Sequence, residues 1–153
     1  FSVTIDDLLS GEKLISVAEK ENKDNIRSMC GLLFGIVDLC SFILIILPLY
    51  PNTIEDFVYS VNLLQYTETT TFNRLVYWSV FSFLMMIGIV EIVLARFRLV
   101  KGYKILMSIS MLIGILNVLF LALTREAYAV TVAFLLLIIK GILLIKCIKT
   151  GGF

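Results

Sequence analysis

Histidine is absent from this 153-residue chain, and with it go imidazole metal sites, Ser-His-Asp triads and histidine-based pH switches. Charge is scarce at 16% of residues, and the 13 basic and 12 acidic side chains nearly cancel, so nothing in the net charge calls for nucleic acid. Proline occurs only at Pro48 and Pro51, leaving long stretches without a helix breaker. The three cysteines, Cys30, Cys40 and Cys147, form no CxxC pair and read as packing residues rather than redox centres. No nucleophile–base pair, metal cluster or phosphate loop is legible, so the chain is expected to be no enzyme and to need no cofactor.

What the chain has in abundance is apolar sequence. Hydrophobic residues make up 59% and mean hydropathy is +0.99, well outside soluble usage. A hydrocarbon core of about 30 Å takes about 20 residues of helix. Four runs meet that length: residues 29–49, 75–95, 105–123 and 127–145. In lipid each must close its backbone hydrogen bonds internally, so each is predicted to be helical. The first begins too late and runs too long for a cleaved signal peptide. The fold class that follows is all-α: an integral membrane four-helix bundle with a short cytoplasmic N-terminal helical segment.

Basic residues set the orientation. Lys13, Lys20, Lys23, Arg27, Arg96, Arg98, Lys101, Lys104, Lys146 and Lys149 fall on one side, against Arg74 and Arg125 on the other. The positive-inside rule then puts both termini in the cytoplasm of a multi-pass cell-membrane protein. The connection of residues 50–73 becomes extracytoplasmic. Its apolar Ile54, Phe57, Val58, Val61 and Leu64 recur at helical spacing and predict a short interfacial helix. Tyr50, Tyr59, Tyr66, Tyr77, Trp78 and Tyr128 are expected to form an outer aromatic belt.

Ahead of the first run stands Phe1-Ser2-Val3-Thr4-Ile5-Asp6-Asp7-Leu8-Leu9-Ser10-Gly11-Glu12. Thr4 with Asp7 is a helix start, Ile5, Leu8 and Leu9 share one face, and Ser10-Gly11 reads as a stop. So short a helix is marginal alone in water, so its apolar face calls for a partner. In the following "KLISVAEKENKDNIRS", the pairs Glu19–Lys23 and Lys20–Asp24 support a solvated helix, either a stiff stalk or an ordinary juxtamembrane segment.

The opening phrase resembles the close of the lambda-repressor-like helix-turn-helix domain, the family often called XRE. The stretches "AEKENKDNIRSMCGLLFGIVDL" and "VNLLQYTETTTFNRLVYW" are similar to the membrane half of bacterial, Firmicutes-type regulators that join such a domain to several spans. The resemblance implies a membrane-tethered, DNA-binding transcriptional regulator, with residues 1–12 the last helix of the DNA-binding domain. Residues 13–28 would be a linker, 29–146 the membrane domain and 147–153 a cytoplasmic tail. The DNA-reading helix of that family lies upstream of the matched phrase, so DNA is expected as a partner only through a domain missing from this sequence. No reading residue carries over.

Four polar positions interrupt the spans: Asp38, Glu91, Asn117 and Lys140. An ionisable group in lipid costs at least about 2.5 to 3.5 kcal/mol, so these should face partners or a wet cavity. They suit either a structural network or a proton relay, ion relay or sensing pocket. Glu91 lies five residues before Arg96 and Lys140 six before Lys146, which puts both roughly 7 to 9 Å from the inner face. Asp38, nine residues beyond Met29, comes out near 14 Å, so Glu91 is the expected partner of Lys140 and Asp38 the second choice. Gly31 with Gly35, and Ser110 with Gly114, are small-xxx-small pairs suited to close packing within the chain or, less readily, in a homodimer. Besides the regulator, a small four-span transporter with Asp38 on its pathway and a membrane assembly module without DNA-linked function fit these residues. The ligand or signal is not legible.

Overall fold

The computed structural model describes residues 5–150. Four of its helices are long and apolar enough to cross a membrane. The first, α1 (Ile5–Leu39), spans 35 residues, or about 52 Å, far more than a hydrocarbon core requires. Its first nineteen residues, to Lys23, are exposed apart from half-buried Gly11, and the first fully buried side chain is Cys30. One unbroken helix therefore joins an exposed stalk to a segment long and apolar enough to span a membrane. The expected stop at Ser10-Gly11 does not occur, and Thr4, its expected cap, lies outside the described residues. A mid-helix glycine costs only about 1 kcal/mol against alanine, too little to end a helix with good formers on both sides and acidic Asp6 and Asp7 in its first turn.

The chain tightens into a 3-10 turn at Cys40–Phe42 and a last helical turn, α2 (Ile43–Ile46). Leu47 is then extended, as the residue before Pro48 prefers to be. Where an interfacial helix was expected, the chain forms an antiparallel hairpin of β1 (Tyr50–Ile54) and β2 (Phe57–Val61), paired from Tyr50↔Val61 to Ile54↔Phe57. The helical spacing of the apolar residues misled because Val58 and Tyr59 suit a pleated strand and the helix-breaking Pro51 falls within the strand paired with theirs. The two turn residues, Glu55 and Asp56, hold positive φ of 49° and 68°, the backbone of a tight hairpin turn usually given to Asn-Gly.

Thr70 caps the next helix, α3 (Thr71–Arg96), accepting the Asn73 N–H at 3.3 Å. Short turns through Arg98 and Arg125, both at positive φ, lead to α4 (Val100–Leu123) and α5 (Ala127–Lys149). The interior divides in two. At the hairpin end, Leu44, Ile45, Tyr50, Leu63, Tyr66, Tyr77, Phe81 and Leu121 form the larger core; toward the stalk, Phe34, Tyr103 and Met107 form a smaller one. Outward, Phe83, Met86, Leu112, Leu116, Leu119 and Ile142 are each about half exposed, a surface suited to lipid rather than water.

Candidate functional site: a buried charge cluster

Asp38 on α1, Glu91 on α3, Ser110 on α4 and Lys140 on α5 meet between the two cores, each at most 4% exposed. Every one of the four long helices thus contributes one polar group. The Lys140 ammonium forms an ion pair with Asp38 Oδ1 and donates to Ser110 Oγ at 2.8 Å. Ser110 in turn donates to Asp38 Oδ2, closing a three-membered ring of charge-assisted contacts. The Phe34 ring faces the ammonium with its centroid 5.6 Å away, within cation–π range.

Glu91 stands against this ring without joining it. It interacts electrostatically with Asp38 and Lys140, yet neither carboxyl oxygen has a hydrogen-bond partner among the described residues. Two carboxyl groups face one ammonium, so with all three ionised one negative charge is left unbalanced among side chains at most 4% exposed. Asn117, 4% exposed, lies further along α4 beside a cavity of about 20 Å³ that Ser41, Gly114 and Lys140 also line. That is room for one water.

The expected Glu91–Lys140 pair is thereby corrected: Lys140 pairs with Asp38. The helix register explains the error. A disulfide joins Cys30 to Cys147, which sets those residues at one height; Asp38 is eight residues beyond Cys30 and Lys140 seven before Cys147, so they are level. Counting from Met29 as the membrane edge placed Asp38 too deep relative to α5. The disulfide also overturns the reading of all three cysteines as packing residues, since only Cys40 is free.

The small residues work between helices of this chain. A Cβ on Gly35 would stand 2.7 Å from the Gly88 carbonyl oxygen on α3, and one on Gly31 would collide with the Tyr103 ring. A Cβ on Gly114 would meet Leu137 at 3.1 Å. Ser110, expected only as a small packing residue, also bridges the ion pair through its hydroxyl; a serine within the span that precedes a lysine-bearing span was the available signal.

At the hairpin end, Tyr50, Tyr66 and Tyr77 are buried rather than part of a belt, which among the expected residues leaves Tyr59 and Tyr128 well exposed. Tyr50 stacks on Tyr66 with centroids 5.1 Å apart and donates to the Leu44 carbonyl at 2.9 Å. Tyr66 donates to Glu126 Oε1, tying the loop after the hairpin to the α4–α5 turn. Burial holds the Glu126 carboxyl above the ordinary carboxylate range, with the Tyr66 hydrogen bond pulling the other way. Burial likewise raises the Tyr50 and Tyr66 phenols. At the stalk end, Ser28 Oγ donates to the Ala95 carbonyl at 2.9 Å, Tyr103 to that of Arg27 at 3.1 Å, and Arg98 to Asn25 Oδ1 at 3.0 Å.

No family model matches the chain, and no solved structure does. Among curated proteins, the HTH-type transcriptional activator BcrR of Enterococcus faecalis is 46% identical over 146 residues, covering 95% of this chain and 72% of the relative. Identity of that extent relates the chain to transcription regulators. The chain belongs to the family of the HTH-type transcriptional activator BcrR.

Proposed function

We propose that this chain is the membrane-anchoring and signal-sensing part of a DNA-binding transcriptional regulator of the lambda-repressor-like XRE type, with both termini in the cytoplasm. The observation that carries the reading is α1. One continuous helix runs from the "IDDLLSGE" phrase to Asp38 inside the charge cluster, so a rearrangement of that cluster moves the stalk without an intervening joint. The relation to an HTH-type activator supports the transcriptional role. The bilayer is the partner of the outward apolar faces, and DNA that of a helix-turn-helix segment joined at the α1 end.

The transmitting element is the cluster. Pairing Asp38 with Lys140 holds α1 against α5, and Glu91, buried beside that pair with neither carboxyl oxygen hydrogen-bonded, makes it sensitive to any change of charge or hydration nearby. The test joins the chain at its α1 end to the helix-turn-helix segment of its own gene, reconstitutes the protein in lipid and footprints it on promoter DNA. Sequence-specific protection is expected, and Lys140→Met should change its response to signal while leaving the protected sequence unchanged. Binding without sequence preference at every promoter, its own included, refutes the reading.

A further inference from the structure

The stalk end of the α1–α5 seam is tied differently from its middle. Asp38–Lys140 holds the middle; two helical turns toward the stalk, the Cys30–Cys147 bond holds the same two helices covalently, with Cα atoms 6.2 Å apart and 117 residues between them. Around Cys30, Asn25 bonds to Arg98 in the α3–α4 turn, Ser28 to Ala95 on α3, and the Arg27 carbonyl to Tyr103 on α4. Cys30 is also where α1 leaves the bundle, since the helix before it is half-buried or exposed. The bond therefore fixes the root of the stalk covalently to α5.

From this we propose that Cys30 and Cys147 form a reversible redox site, closed by a hydroperoxide and opened by a cellular dithiol, that locks and frees the root of α1. The proposal rests on the orientation given above. With the stalk in the cytoplasm this pair lies at the reducing face, where resident thiols keep cysteines reduced, so closure reports an oxidising event instead of serving as a permanent staple. Cys30, at 9% exposure against 1% for Cys147, is the sulfur a small oxidant reaches first. It attacks the terminal oxygen of the peroxide; the O–O bond breaks, the remainder leaves as an alcohol (as water when the oxidant is hydrogen peroxide) and Cys30 becomes a sulfenic acid. The Cys147 thiol then displaces the sulfenic oxygen as water, and the S–S bond forms. The peroxide has accepted two electrons. In reverse, a dithiol returns two electrons and two protons through a mixed disulfide and is itself oxidised to a disulfide. Cys40, free and in the 3-10 turn beyond Asp38, takes no part.

The test uses the full chain, first in growing cells and then in lipid nanodiscs. Cells are quenched in acid, and denatured protein is labelled with maleimide–polyethylene glycol before and after brief hydrogen peroxide. Three labelled cysteines are expected before treatment and one after, with Cys40→Ser giving two and none. A bond already complete in untreated cells means a structural staple, and no bond after peroxide means no redox site; either overturns the proposal. In nanodiscs, amide exchange through residues 24–34 should be about tenfold or more faster in dithiothreitol-reduced than in oxidised protein. Cys30→Ser and Cys147→Ser should match the reduced rate under both conditions. Equal exchange in oxidised and reduced wild type, which needs no variant to fold, refutes the latch. Failure of promoter recognition would leave both readouts unchanged, so the regulator and the latch fall separately.

Discussion

Replacing Lys140 by methionine should be among the most damaging single changes in the bundle. The side chain is 4% exposed and its ammonium serves Asp38, Ser110 and the Phe34 face at once. Removal leaves the carboxyl groups of Asp38 and Glu91 facing each other without a cation, and breaking a buried pair from one side costs about 3 to 5 kcal/mol. Asp38→Asn should cost somewhat less, because Glu91 stays to balance the lysine. The combined Asp38→Asn, Lys140→Met protein should recover much of the loss, since the Asp38 carboxylate then no longer faces Glu91 without a cation, giving a coupling energy of about 2 kcal/mol or more. Glu91→Gln behaves differently. It removes a carboxyl group that faces Asp38 and offers that residue an amide donor, so it should be neutral or stabilising by about 1 kcal/mol. The assay is reversible unfolding in mixed micelles, repeated in bicelles, for wild type, singles and doubles. Coupling below about 0.5 kcal/mol between Asp38 and Lys140, or a larger coupling for Glu91 with Lys140, would show that the ion pair lies elsewhere.

Tyr66→Phe leaves Glu126 Oε1 as unpartnered as Oε2 already is and should cost about 1 to 3 kcal/mol by the same unfolding assay. Because burial raises the Glu126 carboxyl, its contribution is fully present below the ordinary carboxylate pKa and is lost as pH rises through the folded value. Stability should therefore fall with rising pH in that window, and Glu126→Gln should flatten the profile; an unchanged slope in that variant would refute the assignment. Gly35→Ala pushes a methyl against the Gly88 backbone and should cost about 1 to 3 kcal/mol, whereas Gly11→Ala, with nothing within 4 Å, should stabilise the stalk helix by about 0.5 to 1 kcal/mol, both read by thermal melts followed by circular dichroism. Single cysteines at Thr70 and Thr150, in a chain without its native cysteines, should react with an impermeant thiol reagent only at Thr70 in intact cells; equal labelling of both would refute the orientation.

The fold was legible because hydrophobic run length is a strong signal and four such runs leave little choice of architecture. Local punctuation was less so. Ser10-Gly11 carries the residues of a helix end, but a glycine within a long run of helix formers is outweighed by the hydrogen bonds it would break. Residues 50–61 carry helical spacing, and only pairing across Glu55-Asp56 makes them a hairpin. Of the cluster, Asp38, Glu91 and Lys140 stood out as charges in lipid, whereas which of them pair depends on helix offsets of a few residues that no single helix encodes. Ser110 and the Cys30–Cys147 bond escaped for the same reason: each is defined by the facing helix.

The hydrogen bonds and ties along α1 and its continuation explain why one element joins the two ends of the molecule. From the stalk inward they run through Asn25 to Arg98, Ser28 to Ala95, Cys30 to Cys147, Asp38 to Lys140 and Ser110, and the Leu44 carbonyl to Tyr50. Tyr50 stacks on Tyr66, which holds Glu126 at the start of α5. The first helix is thus tied to α5 covalently at the stalk end, by charge in the middle and through the hairpin loop at the far end. Apolar packing alone would let such a seam slide in lipid, where the hydrophobic drive between helices is lost; the polar and covalent ties set its register. With the Cys30–Cys147 bond open, the middle pair is the next polar tie to α5 that a displacement of the stalk meets. Asp38–Lys140 is then the position at which small perturbations should have their largest effect on α1.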